Sequence, residues 1–288
     1  MHDHEDRCDE LEVELKFCPV GPANQTVDEI TSLLQGKYGF IKWPPMVQFD
    51  IYLDTRNFAL YRTNSSLRLR RWGTPFEHKG PRSNFKYPPD IRQGLRRREL
   101  KAPLSDDESR LICNGAIIST PVRHAADFIR TMEGSDPVFT PKVLLGNHNS
   151  TYVLRPRDEA AAQSRRRTGS APPPQHGKSS NLLILQFDNY TVQAVPDGAI
   201  NRLIRNGFVD YDSEATTADF FEAEIEIVAS PDLLEQAGEL YDRIFQALQR
   251  SGTEMPLRSK YSRAVDALGM DQSHDQDIRE ILGARLSP

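Results

Sequence analysis

The segment Glu10-Leu-Glu-Val-Glu-Leu-Lys-Phe17 alternates charged and apolar side chains along its length. Successive side chains of a β-strand point to opposite faces, so Glu12, Glu14 and Lys16 would share one face. The segment Phe221-Glu-Ala-Glu-Ile-Glu-Ile-Val228, near the other end of the chain, repeats this alternation. Both segments therefore predict strands that carry a row of carboxylates on one face.

The composition is that of a globular protein with a somewhat high content of charged residues. The 288 residues are 38% hydrophobic and 27% charged, and the formal net charge is −5, which argues against generic nucleic-acid binding by the whole chain. The 3 cysteines are too few and too scattered for a disulfide framework, which favours a reducing compartment. No apolar run reaches membrane-spanning length and the N-terminus is acidic, so we expect a cytoplasmic protein without a membrane partner.

Strand patterns and helix patterns alternate irregularly along the chain, with roughly eight to ten strands and a few helices between them. Two of the apolar runs, at residues 182–187 and 190–195, predict a hairpin. Residues 155–181 are rich in Arg, Ala, Ser and Pro and predict a disordered insertion between two strands. Residues 271–288 read as a polar C-terminal tail. The pattern as a whole predicts an α+β fold built on an antiparallel sheet or barrel.

Basic residues follow the same alternation in the middle of the chain, where Arg68 and Arg70 share one face of a predicted strand. If all charged faces pointed outward, the protein would be a plain sheet with a solvated side. If they pointed into a closed barrel, an interior with both signs of charge would be costly unless anions and metal ions filled it. A polyphosphate with a divalent metal would fill it, because carboxylates bind the metal while guanidinium and ammonium groups bind phosphate.

Eight short motifs, in the right order, resemble those of the CYTH family, also called triphosphate tunnel metalloenzymes, and in particular thiamine triphosphatase-like members. The resemblance opens with Glu12-x-Glu14-x-Lys16 and includes Glu224-Ile-Glu226 near the end. The remaining motifs are Asp50–Thr55, Leu67–Arg70, Phe76–Pro81, Arg97–Glu99, Asp188 and Ser259–Tyr261. Each motif is weak alone, whereas eight in sequence are a strong signal.

This resemblance implies a closed eight-stranded antiparallel β-barrel with helices packed outside, formed by residues 9–270 as one domain. It also implies divalent-metal-dependent hydrolysis of a small triphosphate (thiamine triphosphate, tripolyphosphate or a nucleoside triphosphate), with Mg²⁺ or Mn²⁺ as cofactor. The implied metal ligands are Glu12, Glu14, Asp188, Glu224 and Glu226. The implied phosphate-binding residues are Lys16, Arg68, Arg70, Lys79, Arg98 and Lys260. Lys16 or Tyr52 would orient the attacking water.

Two alternatives remain on the same scaffold, namely an adenylate cyclase that forms cAMP from ATP and a non-catalytic module that binds polyphosphate or a nucleotide. The family usually carries an arginine on the strand where this chain has Asn147, His148 and Asn149. Its loss favours the binding module, although a protonated His148 would compensate for part of the missing charge. Nucleic-acid binding through the basic residues 62–101 is a weaker alternative, because that region lacks interleaved aromatic residues and a recognised module.

Overall fold

The structure is a computed structural model, and it describes residues 9–12, 14–18, 23–34, 38–43, 46–74, 77–89, 97–156, 181–195, 216–229, 231–250 and 258–270. The strands in these ranges are β1 (Asp9–Glu12), β2 (Glu14–Phe17), β3 (Tyr38–Lys42), β4 (Met46–Asp54), β5 (Ser66–Thr74), β6 (Glu77–Lys86), β7 (Arg97–Pro103), β8 (Thr140–Pro156), β9 (Leu183–Ala194) and β10 (Thr217–Ile227). The helices are α1 (Ala23–Leu34), α2 (Ala59–Arg62), α3 (Asp106–Cys113), α4 (Thr120–Glu133), α5 (Leu234–Arg250) and α6 (Lys260–Ala267), and a 3-10 turn (Pro231–Leu233) precedes α5.

The strands form one antiparallel sheet that is not closed, so the predicted closed eight-stranded barrel is wrong. Paired strands follow the order β1-β7-β6-β5-β4-β8-β9-β10-β2, and β3 pairs with β8 beside this path. A closed barrel requires that every strand be paired along both edges. Here, in the described residues, β1 pairs only with β7 and β2 only with β10. The two ends of the strand order are thus consecutive in the chain but are not joined by a ladder.

Two strands are longer than the sequence pattern predicted. β9 runs without interruption, so the predicted hairpin at 182–187 and 190–195 is wrong. Its residues pair continuously with β8 on one side and with β10 on the other, which leaves no room for a turn at Asp188. β6 continues to Lys86, although the proline, glycine and asparagine content of residues 80–94 predicts a long loop. The extension places Lys86 opposite Ser66 of β5.

Several expectations fall outside the described residues. The predicted insertion at 155–181 is described only at residues 155, 156 and 181, the first two of which end β8. The predicted tail at 271–288 is not described, and the single domain over 9–270 stays a prediction. In the part of the chain that the structure describes, no helix has the length and apolar character needed to cross a membrane. The cytoplasmic location also stays a prediction.

Two apolar clusters pack between the sheet and the helices. The first joins β4, β5, β6 and β8 to α2, α3, α4 and α6, and its buried members include Leu67, Phe85 and Ile129. The second joins β2, β9 and β10 to α1 and α5, with Phe17 and Leu240 among its members. Each helix buries one apolar stripe, as expected for amphipathic helices on a sheet. The first cluster fixes α6, whose first residue is Lys260, against the sheet.

The buried carboxylate of Asp54 ties α2 and α6 to the end of β4. It accepts hydrogen bonds of 2.7–3.0 Å from the backbone N–H groups of Thr55, Leu60 and Tyr61 and from the hydroxyl of Tyr261. Burial raises the pKa of Asp54, and the hydrogen bonds only partly offset this, so the pKa lies above its ordinary value. Because Tyr261 directly follows Lys260, this contact helps to set the position of the first turn of α6.

The change Asp54→Ala is expected to lower the free energy of unfolding by roughly 2 kcal/mol, because several buried donors lose their acceptor. Urea denaturation followed by circular dichroism measures this loss. Asp136→Ala is the control, since Asp136 is exposed and contacts Arg130 at the surface, and its effect is expected to stay within about 0.5 kcal/mol. Similar stabilities for the two variants would show that Asp54 does not hold these elements together.

Candidate functional site

A charged cleft lies on the face of the sheet that collects the alternating acidic and basic side chains. Its empty volume, including the part open to solvent, is about 670 Å³. The residues lining this charged cleft are Lys16, Tyr52, Ser66, Arg68, Arg70, Lys86, Gln186, Glu224, Glu226, Ser259 and Lys260. Seven of them were predicted as site residues from the sequence, namely Lys16, Tyr52, Arg68, Arg70, Glu224, Glu226 and Lys260.

The register of the strands explains why these side chains converge. Residues directly opposite each other in an antiparallel pair share one face of the sheet. Glu224 of β10 lies opposite both Lys16 of β2 and Gln186 of β9. Tyr52 of β4 lies opposite Arg68 of β5 in the same way. One face of the sheet therefore carries acidic residues at one end of the strand order and arginines further along it.

The two arginines of the cleft are held by a buried aspartate, Asp50. Arg70 donates to Asp50 through Nε and Nη2, each at 2.7 Å. Arg68 donates to the same carboxylate through Nη1 at 3.4 Å. Burial alone would raise the pKa of Asp50, but the charges of Arg70 and Arg68 outweigh it, so the pKa lies below its ordinary value. The structure thus fixes two guanidinium groups side by side at the cleft wall.

A second buried carboxylate, Glu99 of β7, supports the same wall. It lies 3.3 Å from Nη2 of Arg68 and 3.0 Å from Nζ of Lys101. Nζ of Lys86 lies at 3.9 Å, and the amide of Asn84 donates to Glu99 at 3.0 Å. Burial alone would raise the pKa of Glu99, but the charges of Lys86, Arg68 and Lys101 lower it by more than burial raises it. The pKa therefore lies below its ordinary value and the carboxyl stays ionised. We call Arg68, Arg70 and Lys86 the cationic wall of the cleft.

The opposite part of the site is an acidic trio, Asp188, Glu222 and Glu224, on β9 and β10. One carboxylate oxygen from each residue lies within 4.8 Å of the others, and all three side chains are buried. Asn147 and Asn149 of β8 donate to Oδ1 of Asp188 at 2.9 and 2.8 Å. These amides fix the orientation of the Asp188 carboxylate toward its two partners.

Cationic side chains occupy the acidic trio in this structure. Nζ of Lys260 lies 2.8 Å from Asp188 and 3.3 Å from Glu222, and it also contacts Glu224. Nζ of Lys16 donates to Glu224 at 2.6 Å and lies 3.6 Å from Glu222. Arg263 of α6 pairs with Glu222. Among the described residues, three cations thus pair with the three carboxylates of the trio.

The acidic trio is a suitable donor set for Mg²⁺ or Mn²⁺. Hard divalent cations prefer carboxylate and amide oxygens. Asn147, which donates to Asp188, is 1% exposed, and its Oδ1 has no hydrogen-bond partner among the described residues, so a side chain in contact with the trio carries a buried oxygen whose hydrogen-bonding capacity is unused. Glu226, two residues along β10 from Glu224, lines the cleft next to the trio. Carboxylates and an amide oxygen are thus available together from neighbouring strands.

Three predicted site residues are described only by their backbone. Glu12 and Glu14 belong to β1 and β2, and Lys79 belongs to β6. Glu14 lies directly opposite Glu226 in the pairing of β2 with β10, so its Cα is on the same sheet face as that cleft residue. The roles of all three stay predictions.

Arg98, predicted to bind phosphate, does not line the cleft. It is exposed, and its guanidinium lies over the ring of Tyr87, 5.4 Å from the centroid. Neighbouring residues of a strand point to opposite faces, and the adjacent Glu99 is the one buried toward Arg68. The alternation along the strand shows that Arg98 and Glu99 lie on opposite faces, but it does not determine which of the two faces the cleft.

Asn147 and Asn149 occupy the inward positions of β8, where the family usually carries an arginine. His148 is exposed on the other face of the strand, so the expectation that it would supply the missing charge is wrong. The two amides contact Asp188 instead. This strand therefore contributes neutral hydrogen-bond donors to the acidic trio rather than a cation to the cleft.

Several site residues were given no role in the sequence analysis. Asp50 and Glu99 lie inside motifs quoted there, but only cross-strand contacts show that they hold the arginines. Lys86 lies within residues 80–94, whose composition predicts a loop. The hydroxyl of Tyr190 lies 3.0 Å from both Asp188 and Glu222, and burial raises its pKa well above the ordinary value, which keeps it a proton donor.

Comparison with known sequences confirms the family resemblance. The sequence model of the CYTH domain matches residues 10–144. No curated protein matches the chain significantly.

The solved structures that match this protein share little of its sequence. The PH1819 protein of Pyrococcus horikoshii OT3 is 13% identical with a TM-score of 0.43, and the match covers 88% of this chain and 99% of that chain. HpAC1 from Hippeastrum, described as having a dominant triphosphatase activity, is 16% identical with a TM-score of 0.45, covering 88% and 95%. A Bacillus halodurans protein is 17% identical with a TM-score of 0.45, covering 88% and 97%. At these values the likenesses carry no conclusion about function.

Proposed function

We propose that this CYTH-domain protein hydrolyses the terminal phosphoanhydride bond of a small triphosphate with the help of a divalent metal ion. The observation that carries the proposal is the division of one cleft into a cationic wall and an acidic trio. Guanidinium and ammonium groups match phosphate oxygens, and clustered carboxylates match a hard cation. A metal–triphosphate complex is a ligand that carries both complementary charges at once.

The cationic wall would bind the phosphate chain. Arg68 and Arg70 line the cleft and are held by Asp50, and paired guanidinium donors suit phosphate oxygens. Lys86 would add an ammonium to the same wall. Because these cations are already fixed, little reorganisation would be needed as charge develops in the transition state.

The acidic trio and Asn147 would hold Mg²⁺ or Mn²⁺. When bound, such an ion neutralises phosphate charge and acts as a Lewis acid. Water would attack the terminal phosphorus, the bond from this phosphorus to the bridging oxygen would break, and orthophosphate and the corresponding diphosphate compound would be released. Lys16 and Tyr52 line the cleft and are the proposed groups that orient this water. Catalysis would come mainly from positioning and charge neutralisation.

A non-catalytic polyphosphate-binding module is the second candidate. The specific observation in its favour is the pair of neutral amides, Asn147 and Asn149, on the strand where the family usually carries an arginine. Fewer cations around the phosphates would slow hydrolysis more than they would weaken binding. The reason is that stabilisation of the charge in the transition state depends strongly on fixed cations.

A phosphate-release screen separates these functions. Tripolyphosphate, thiamine triphosphate, ATP and GTP are each incubated with the protein and Mg²⁺ or Mn²⁺, with EDTA as the metal-free control. The expected result is orthophosphate release from at least one compound, abolished by EDTA. Tight tripolyphosphate binding without release would favour the binding module, and cAMP with diphosphate from ATP would indicate a cyclase. Neither binding nor release would end the proposal of a triphosphate site.

A further inference from the structure

We propose that Lys260 competes with the divalent cation for the acidic trio, so that its ammonium group must leave the trio when the metal binds. The inference rests on the proposed function only in taking the acidic trio as the metal site. Lys260 would then lower the affinity of the acidic trio for the metal, in addition to being a candidate phosphate-binding residue.

The position of the ammonium group is the first reason. Nζ of Lys260 contacts all three carboxylates, at 2.8 Å from Asp188, at 3.3 Å from Glu222 and in close contact with Glu224. Their nearest oxygens lie within 4.8 Å of one another. A metal ion held at about 2.0–2.6 Å from such oxygens would occupy the same space. Two cations there would repel each other strongly at so short a separation.

Charge balance is the second reason. Lys16, Lys260 and Arg263 already pair with the carboxylates of the acidic trio. A divalent ion added while all three cations stay in place would leave an excess of positive charge in a buried site, which is unfavourable. Phosphate oxygens entering the cleft would remove the excess. Metal binding should therefore be weak without triphosphate and should strengthen with it.

The structure also gives the displaced ammonium a place to go. The side chain of Lys260 lines the charged cleft and is 12% exposed. Its backbone is fixed, because Ser259 caps α6 by accepting the N–H of Ser262 at 3.0 Å and Tyr261 bonds to Asp54. A flexible four-carbon side chain on a fixed backbone can move its charge from carboxylate to phosphate without moving the helix.

Titration of Mn²⁺ alone, followed by the electron paramagnetic resonance signal of the free ion, tests the competition. Lys260→Met removes the charge and keeps the length of the side chain, and it is expected to tighten Mn²⁺ binding by about tenfold or more. Lys260→Arg keeps the charge and is expected to bind Mn²⁺ like the wild type. Lys86→Met is the matched control, because it removes a cleft cation that pairs with Glu99 instead, and it is expected to change the affinity by less than about threefold.

Equal or weaker Mn²⁺ binding by Lys260→Met than by the wild type would overturn the inference, as would equal tightening by Lys260→Arg. Circular dichroism of each variant verifies the fold, and Lys260→Gln serves as the second neutral variant if the methionine variant unfolds. If the wild-type protein releases phosphate but the Lys260 variants bind Mn²⁺ with unchanged affinity, the inference alone is contradicted. Tighter Mn²⁺ binding without any triphosphate binding or hydrolysis would remove only the proposed function.

Discussion

Replacing Glu224 with glutamine is expected to reduce metal-dependent phosphate release by about 100-fold or more, because it removes a charged ligand from the proposed metal site. Glutamine keeps the shape of the side chain and an oxygen that can accept from Lys16, which lies 2.6 Å away in the wild type. The fold should therefore be retained. Only the negative charge that the acidic trio offers to a cation changes, from three carboxylates to two.

The measurement is orthophosphate release from whichever compound the wild type hydrolyses, over a series of Mg²⁺ or Mn²⁺ concentrations. A higher metal concentration should restore part of the lost rate, since a weakened site can still be filled by mass action.

Asp219→Asn is the matched control for this change. Asp219 is on the same strand, β10, but in the opposite phase, where it is exposed and accepts from Thr191 at 2.7 Å. Its replacement is expected to leave the rate essentially unchanged. A wild-type rate in the Glu224 variant at low metal concentration would place the metal site elsewhere.

The alternation of charge along the strands was enough to group several of the residues that line the charged cleft. Side-chain alternation is a local property with a period of two, so the sequence could assign Lys16, Glu224 and Glu226 to shared faces. The same reasoning grouped Arg68 with Arg70. The structure adds the register that places these faces together, with Glu224 directly opposite Lys16.

The errors arose where the outcome depends on pairing between distant strands. The period of two places Arg97 with Glu99 and Arg96 with Arg98, but it does not tell which pair faces the cleft. The contact of Glu99 with Arg68 settles that choice, because partners on adjacent strands decide which carboxylate is buried. Likewise, the interaction of Asn147 with Asp188 shows that His148 points away.

Closure of the sheet is a property of the whole chain and could not be read from local patterns. A single strand was expected across residues 10–18, whereas β1 and β2 pair with different neighbours at opposite ends of the strand order. The extension of β6 to Lys86 was hidden for a similar reason. Its proline and glycine residues predict a loop, but pairing with β5 and β7 on both sides outweighs that local preference.

The change Asp50→Asn is expected to lower the free energy of unfolding by about 3–5 kcal/mol at neutral pH, the usual cost of removing one partner of a buried ion pair. The neutral amide would leave Arg68 and Arg70 next to each other without the carboxylate that both contact. Asparagine has nearly the same shape, so the effect reports the lost charge rather than a cavity. Phosphate release should fall as well, because the two guanidinium groups lose their common support.

Urea denaturation of the wild type and the variant measures the change in stability. Asp127→Asn is the control, since Asp127 is an exposed residue of α4 that pairs with Arg130 at 2.6 Å, and surface pairs contribute about 1 kcal/mol or less. Equal stabilities of the Asp50 variant and this control would contradict the assigned role of Asp50.

The pH dependence tests whether charge is the cause. The pKa of Asp50 is lowered in the folded protein despite burial, which would raise it, because Arg70 and Arg68 favour the ionised form. Such a group stabilises the fold above its unfolded pKa, about 3.9, and this contribution is lost as the pH falls through the lowered folded pKa. The difference in stability between wild type and Asp50→Asn should therefore be full at pH 7 and shrink progressively below about pH 4. Glu99 is present in both proteins, so its own titration affects both to a similar extent. A difference that stays constant from neutral to strongly acidic pH would show that Asp50 acts through shape or hydrogen bonding and not through its charge.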